Sequence, residues 1–162
     1  MIEILKLPSN RWKDYQRLRL EALKNDPLAW VTSYEEEIPL PKEEWQKRIG
    51  QVLFALLNDK PIGMVSYYFE DRIKIKHIAN IVGMYVTREY RNQEIGSKLV
   101  TEVISSIKEN SGILKIKLSV NSEQEYALRL YRKFGFAVVG TLKKETLVDG
   151  KYYDSLLMEK LV

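Results

Sequence analysis

Between residues 78 and 107 the hydrophobic pattern changes period once, and that change fixes the kind of layer structure the chain can build. Residues 78–86 form an apolar, β-prone run. Beyond Tyr90 and Arg91, residues Ile95, Leu99, Val100, Val103, Ile104 and Ile107 recur at the three-and-four spacing of one helix face. A strand delivered by a tight turn into an amphipathic helix belongs in a sheet with helices packed on it. The helix opens with an arginine, small residues and backbone amides. The first amides of a helix lack internal partners and carry the positive end of its macrodipole, and such an end binds phosphate. Two readings stay open: a site for a ligand with an anionic phosphate group, or an ordinary strand-turn-helix with a solvated Arg91. Neither G-x-x-x-x-G-K-S/T nor G-x-G-x-x-G occurs, so the common nucleotide loops are excluded.

The other segments fill in the order of elements. Residues 2–7 read as a strand, and Ser9 or Asn10 is placed to cap a helix carrying Tyr15, Leu18 and Ala22, closed by Pro27. Residues 30–41 read as irregular, with Tyr34-Glu35-Glu36-Glu37 at their centre. A short helix over 42–49 sets Trp45 and Ile49 on one face. Runs over 52–57 and 62–69 form a hairpin across Asn58-Asp59-Lys60-Pro61. Residues 113–120 alternate through Leu114, Ile116, Leu118 and Val120 like a half-buried strand. Residues 123–134 read as a helix with Ala127, Leu130, Tyr131 and Phe134 on a seam, ended by Gly135 as a left-handed cap. Strands over 136–147 and 151–161 pair across Asp149-Gly150. The order β-α-α-β-β-β-α-β-α-β-β predicts a mixed α/β fold, with a largely antiparallel sheet and helices on both faces.

Bulk properties bound the function. A chain of 162 residues suits a single domain over 1–162 that buries roughly 68–70% of its unfolded surface. Cysteine is absent, which excludes disulfides, thiolate metal sites and a cysteine nucleophile and fits a reducing cytoplasm. With His77 the only histidine, no metal site is expected. Residues 1–7 carry Glu3 and meet Pro8, unlike a secretory signal, and no apolar run reaches membrane-spanning length. A net charge of +4 favours an anionic cofactor but falls short of a nucleic-acid signature, so no nucleic-acid or membrane partner is expected.

Two motifs stand in fixed order. The turn Arg91-Asn92-Gln93-Glu94-Ile95-Gly96 follows the pattern R-x-x-G-x-G/A, and residues 124–136 follow N-x-x-A-x-x-L-Y-x-x-x-G-F through Ala127, Leu130, Tyr131, Gly135 and Phe136. On these residues, and on the order of elements, nearly the whole chain resembles the GNAT superfamily of acetyl-CoA-dependent N-acetyltransferases, in its small bacterial form. Two positions depart from the family pattern: Glu94 replaces a glycine and Gln124 an asparagine. Glycine there permits positive φ and a close approach of backbone to phosphate. A glutamate side chain facing the ligand repels it, whereas one facing solvent is screened.

The resemblance implies a mechanism and a set of residues. Acetyl transfer to an amine passes through a tetrahedral adduct, expels a thiolate, and needs an oxyanion-stabilising amide, a route for the amine's proton and an acid for the sulfur. By resemblance, the backbone of Met84, Tyr85 and Val86 splays from the next strand, binds the pantetheine arm and polarises the carbonyl. Arg91, Asn92, Gln93, Glu94, Ile95, Gly96 and Ser97 hold the pyrophosphate, and Gln124 lies nearby. Tyr131 is the acid, since a phenol stays protonated at neutral pH; a core tyrosine on the helix seam fits its spacing equally. The base is open. Tyr34 and Glu35 on the acidic loop, and Asp154 with Tyr153 on the last hairpin, are candidates for the acceptor pocket. Alternation puts His77 on the side of Tyr85, as a base if it faces the cleft and as a structural strand residue otherwise. Trp12, Trp30 and Trp45 read as packing. The expected activity is N-acetylation of a primary amine on a small molecule or a protein. The alternative is a fold-retaining acetyl-CoA-binding module with weakened catalysis. Family members pair through a sheet edge or a last strand, so the resemblance allows a homodimer.

Overall fold

The structure is a computed structural model that describes residues 1–162. The chain runs β1 (Ile2–Lys6), α1 (Trp12–Asn25), α2 (Tyr34–Glu37), α3 (Lys42–Ile49), β2 (Val52–Leu57), β3 (Lys60–Phe69), β4 (Ile78–Val86), α4 (Ile95–Lys108), β5 (Lys115–Asn121), α5 (Glu125–Lys133), β6 (Ala137–Val148) and β7 (Lys151–Leu161). Its seven strands form one sheet in the order β1-β2-β3-β4-β5-β7-β6, parallel only between β4 and β5. Local chemistry explains the hairpins. Asn58 and Asp59 take φ 50° and 61° between β2 and β3, and Asp149 and Gly150 take φ 48° and 77° between β6 and β7. Asn, Asp and Gly tolerate the left-handed region that such two-residue turns demand.

Two local expectations are corrected. The segment expected to be irregular holds α2, one turn long, closed by a reciprocal cap. The Glu36 amide donates to Ser33 Oγ at 3.3 Å, and the Ser33 amide donates to Glu36 Oε2 at 2.7 Å. At the first helix neither Ser9 nor Asn10 caps with its side chain; both lie in a 3₁₀ turn, and α1 starts at Trp12. Pro8 fixes an extended entry. Arg11 then ties the corner by ion pairs to Asp14 at 2.7 Å and Asp59 at 2.6 Å.

The sheet buries both faces, but unequally. On one face α4 and α5 cover strands from both halves of the sheet, packing Leu99, Val103, Ile107 and Leu130 with Val65, Ile81, Ile116 and Met158. On the other face α1 and α3 seat Leu18, Ala22 and Trp45 against Phe54 and Met64, over the first strands only. Tyr15 meets Trp45 and Phe54 edge-on there, at 5.5 and 5.9 Å between ring centroids. In β5 the buried apolar residues are Ile116, Leu118 and Val120 as expected, while Leu114 precedes the strand and is exposed.

The middle of the sheet is where the fold makes room. β4 pairs with β5 only through Ile78–Lys115, Ala79–Ile116 and Asn80–Lys117. Further on, β4 carries one extra residue against β3, a bulge around Gly83, which sits at φ 67°. A bulge bends and twists a strand out of its ladder. It also inverts the side-chain alternation. Ala79 and Ile81 face the α4 side, whereas Tyr85 faces the α1 side. Counting alternate residues from His77 to Tyr85, as the sequence invited, therefore gives the wrong side.

Candidate active site

Where β4 and β5 part, a cavity of ≈ 550 Å³ opens. Its floor is the end of β4, with Met84, Tyr85 and Val86. One wall is the turn into α4, with Tyr90, Arg91, Asn92, Ile95 and Gly96. The opposite wall is the start of α5, from Glu123 to Ala127 with Leu130, and the rim is Asp26 and Ala29. The sheet thus supplies an unpaired strand edge, and the helix supplies its free amides. Gly96 lets α4 and α5 approach closely there: a Cβ would lie 3.2 Å from Leu130 Cδ2. A phosphorylated chain with amide groups fits such a site, laying its arm along the strand edge and its phosphates on the α4 amides.

The turn is braced by side chains. Arg91 Nε donates to the Val86 carbonyl at 2.9 Å, and its Nη2 meets Asp26 Oδ2 at 2.5 Å. Arg88 reaches the Asn25 carbonyl and Asp26 as well. Arg91 is therefore a structural clasp in addition to a cavity-lining cation. Glu94 occupies the left-handed region at φ 60°, as the family glycine would, and its side chain is 79% exposed, turned outward with Lys133 Nζ 3.9 Å away. Lys133 also donates to Ser97 Oγ at 3.3 Å. Gln93, Glu94 and Ser97 lie outside the cavity lining, while Arg91, Asn92, Ile95, Gly96 and Gln124 belong to it.

Tyr131 is buried beneath the cavity, edge-on to Phe136 at 5.7 Å between centroids. Burial alone pushes its phenol well above the ordinary value, so it stays protonated. Its neighbours Ala127 and Leu130 line the cavity, and Tyr131 itself does not. Tyr85 does line it. Burial, with the Glu21 carboxylate adding to it and the Asn25 donor opposing it, pushes the Tyr85 phenol up to about 12.

A second cavity, ≈ 470 Å³, adjoins the first through the 26–30 segment. The α2 side gives it Trp30, Thr32, Tyr34 and Glu35, and the tip of the β6–β7 hairpin gives it Glu145, Thr146, Leu147 and Asp149. No lysine or arginine lines it. The three glutamates of the acidic loop divide sharply. Glu36 serves the α2 cap. Glu37 is only 3% exposed and takes Arg19 at 2.9 and 2.7 Å and Thr32 at 2.9 Å, with Arg48 at 3.6 Å. Only Glu35 is left facing the cavity.

Asp154 lies outside both cavities. It accepts from the Lys144 amide at 2.9 Å and from Lys143 Nζ at 3.1 Å, closing a two-residue bulge of β6 in which Lys144 sits at φ 51°. Those two donors hold its carboxyl below the usual range. His77 is half-buried just before β4, outside both cavities, and its carbonyl receives the Leu114 amide at 2.9 Å. Sequence reasoning missed Asp26, Tyr126, Glu145 and Asp149 as lining residues. Tyr126 lies within the 124–136 motif, between Gln124 and Ala127; no local signal marks the other three, which reach their cavities through the return of distant segments.

The sequence model described as the acetyltransferase (GNAT) family matches residues 12–136. The L-amino acid N-acetyltransferase AaaT of Escherichia coli (strain K12) is 25% identical over 155 residues, 92% of this chain and 93% of that protein. A GNAT-family acetyltransferase from Streptococcus pneumoniae superposes with a TM-score of 0.88 at 24% identity, covering 100% of both chains. A phosphinothricin acetyltransferase from Sinorhizobium meliloti, solved in complex with AcCoA, gives 0.85 at 18% identity, over 99% of this chain and 88% of that one.

Proposed function

This chain belongs to the acetyltransferase (GNAT) family and uses acetyl-CoA as its co-substrate; from that premise we propose that it acetylates a primary amine whose carrier bears a further positive charge. The observation that carries the acceptor reading is the second cavity, whose lining holds Glu35, Glu145 and Asp149, none of them in an ion pair, and no lysine or arginine, the nearest guanidinium being that of Arg19 behind Trp30 and Thr32. Three unpaired carboxylates attract a cationic acceptor and repel one bearing a carboxylate. The AaaT relative is named for L-amino acids, and a diamine or other cationic amine fits this cavity better.

Bound at the β4–β5 opening, acetyl-CoA supplies an activated acetyl thioester. The residues around it divide the remaining work. The backbone at Met84, Tyr85 and Val86 orients the arm and holds a donor toward the carbonyl oxygen. Residues Arg91 to Ser97 present amides at the positive end of α4, with Gln124 on the facing wall. Tyr131, protonated but outside the cavity lining, would serve as the acid for the departing sulfur on coming within hydrogen-bond reach of it. Tyr34 and Glu35 seat the acceptor, and Asp154 holds the hairpin that forms the other side of its pocket. The outward turn of Glu94 supports an intact cofactor site over a binding module that has lost catalysis.

A cytoplasmic enzyme and a single domain over 1–162 complete the reading, as does a homodimer through the outer edge of β6, where Val138, Val139 and Leu142 are exposed. No helix is long and apolar enough to cross a membrane. Neither a nucleic acid nor a membrane is among the partners proposed. The test is titration calorimetry with acetyl-CoA, followed by turnover on diamines, monoamines and free amino acids. Micromolar binding with diamines turned over fastest is expected. Absence of binding at millimolar acetyl-CoA, or a preference for free amino acids, overturns the corresponding half.

A further inference from the structure

Beyond Asn80 the end of β4 has no ladder on its β5 side, yet residues 84–86 floor the cofactor cavity. A tether exists on the opposite face of the sheet. The hydroxyls of Tyr85 and Thr87 both donate to one carboxylate oxygen, Glu21 Oε1 on α1, at 3.0 and 2.7 Å. Asn25, one turn along the helix, donates from Nδ2 to the Tyr85 hydroxyl at 3.3 Å. Arg17, one turn back, lies 3.6 Å from Glu21 Oε2. The Tyr85 side belongs to the α1 core, where Leu18 and Ala22 fix the helix against the sheet. The Thr87 amide meets the Ile62 carbonyl at 2.8 Å, and the Val86 carbonyl takes Arg91.

We propose that Glu21 is a positioning residue for acetyl transfer: by holding Tyr85 and Thr87, two residues apart, it sets where the 84–86 backbone stands against the acetyl thioester. The inference rests on the acetyl-transfer reading of the cavity. A donor that stabilises developing charge must lie within hydrogen-bond distance of the oxygen's transition-state position, and small misplacements cost rate steeply. Hydrogen bonds to an ionised acceptor are the strong ones, about twice as strong as neutral pairs. One carboxylate oxygen on a packed helix therefore supplies part of the stiffness that the missing β5 ladder would have given. Glu21 acts through Tyr85 and Thr87 and needs no contact with the reacting atoms.

The experiment compares E21A, E21Q and the pair Y85F/T87V with the wild-type protein. E21A is expected to lower kcat by roughly 10–100-fold, with acetyl-CoA Kd by calorimetry changed by less than about threefold. Amide exchange over 84–87 should rise. E21Q keeps an acceptor oxygen in place without the charge and should recover part of kcat. Adding E21A to Y85F/T87V should cost nothing more. If E21A does not fold, Y85F/T87V alone must show the kcat loss. Wild-type kcat in folded E21A, loss without rescue by E21Q, or an undiminished further loss in the Y85F/T87V background each overturns the proposal. A wild-type protein that neither binds nor turns over acetyl-CoA removes the functional reading and this inference together. That result is distinct, because it is seen before any variant is made.

Discussion

At the scale of single residues, the two departures from the family pattern have different weights. Glu94 takes the left-handed conformation that a glycine adopts freely, at a cost of roughly 1 kcal/mol. Its carboxylate points away from the cavity. Glu94→Gly is therefore expected to stabilise the protein by about 1 kcal/mol in denaturant unfolding, with acetyl-CoA Kd moved by less than about threefold. A large gain in affinity would show that the carboxylate repels the phosphates after all. Gln124 lines the cavity with an amide, so it preserves the chemistry of the position. Tyr131 bears on mechanism instead. With a phenol held protonated by burial, Tyr131→Phe should lower turnover at least about tenfold while leaving acetyl-CoA affinity nearly unchanged. Single-turnover kinetics make the reading independent of product release.

Among the elements, the short α2 shows how much one side chain can organise. Glu37 joins α2 to Arg19 of α1 and Arg48 of α3 while nearly out of water. Burial would raise its carboxyl, but the Arg19 hydrogen bonds and charge, with Thr32 and Arg48, overrule it and hold it below its ordinary 4.5. A depressed carboxylate stabilises the fold in full above its unfolded value. That contribution is lost as pH falls through the lower, folded value. Glu37→Gln is expected to cost about 3 kcal/mol at pH 7, and the thermal melts of variant and wild type should draw closer as pH drops below 4.5. Constant separation of the two melting curves would exclude this linkage. The same segment marks the limit of legibility. The Ser33–Glu36 spacing carried α2 and its capping carboxylate in plain view, yet nothing in the order Glu35-Glu36-Glu37 says which of the other two is buried and which faces a cavity. That division depends on Arg19 and Arg48, which only the packing of three helices brings together. Periods and turn residues, by contrast, marked nearly every strand and helix, because those signals are local.

For the molecule as a whole, the sequence motifs located the turn into α4 and the seam of α5, and family resemblance supplied their use. What stayed hidden was long-range: the side on which Tyr85 points after the Gly83 bulge, and the return of the β6–β7 tip over the 27–35 segment. Both arise from register shifts that hydrophobic alternation does not encode. Hydrogen exchange should follow the same geography. Amides of β2 and β3, paired on both sides, are expected to be protected longest, and those at the end of β4 to exchange at least about tenfold faster until acetyl-CoA is added. Equal protection across the sheet would contradict that. The three residue pairs joining β4 to β5 also make the sheet mechanically anisotropic. A load drawn across the strands finds a notch there, bridged by α4 and α5 on one side and on the other only by the 3₁₀ turn at Pro27–Ala29, which reaches β5. Such a body is compliant along one line and stiff elsewhere. Its softest deformation is the widening of the slot into which a long thin ligand must be threaded.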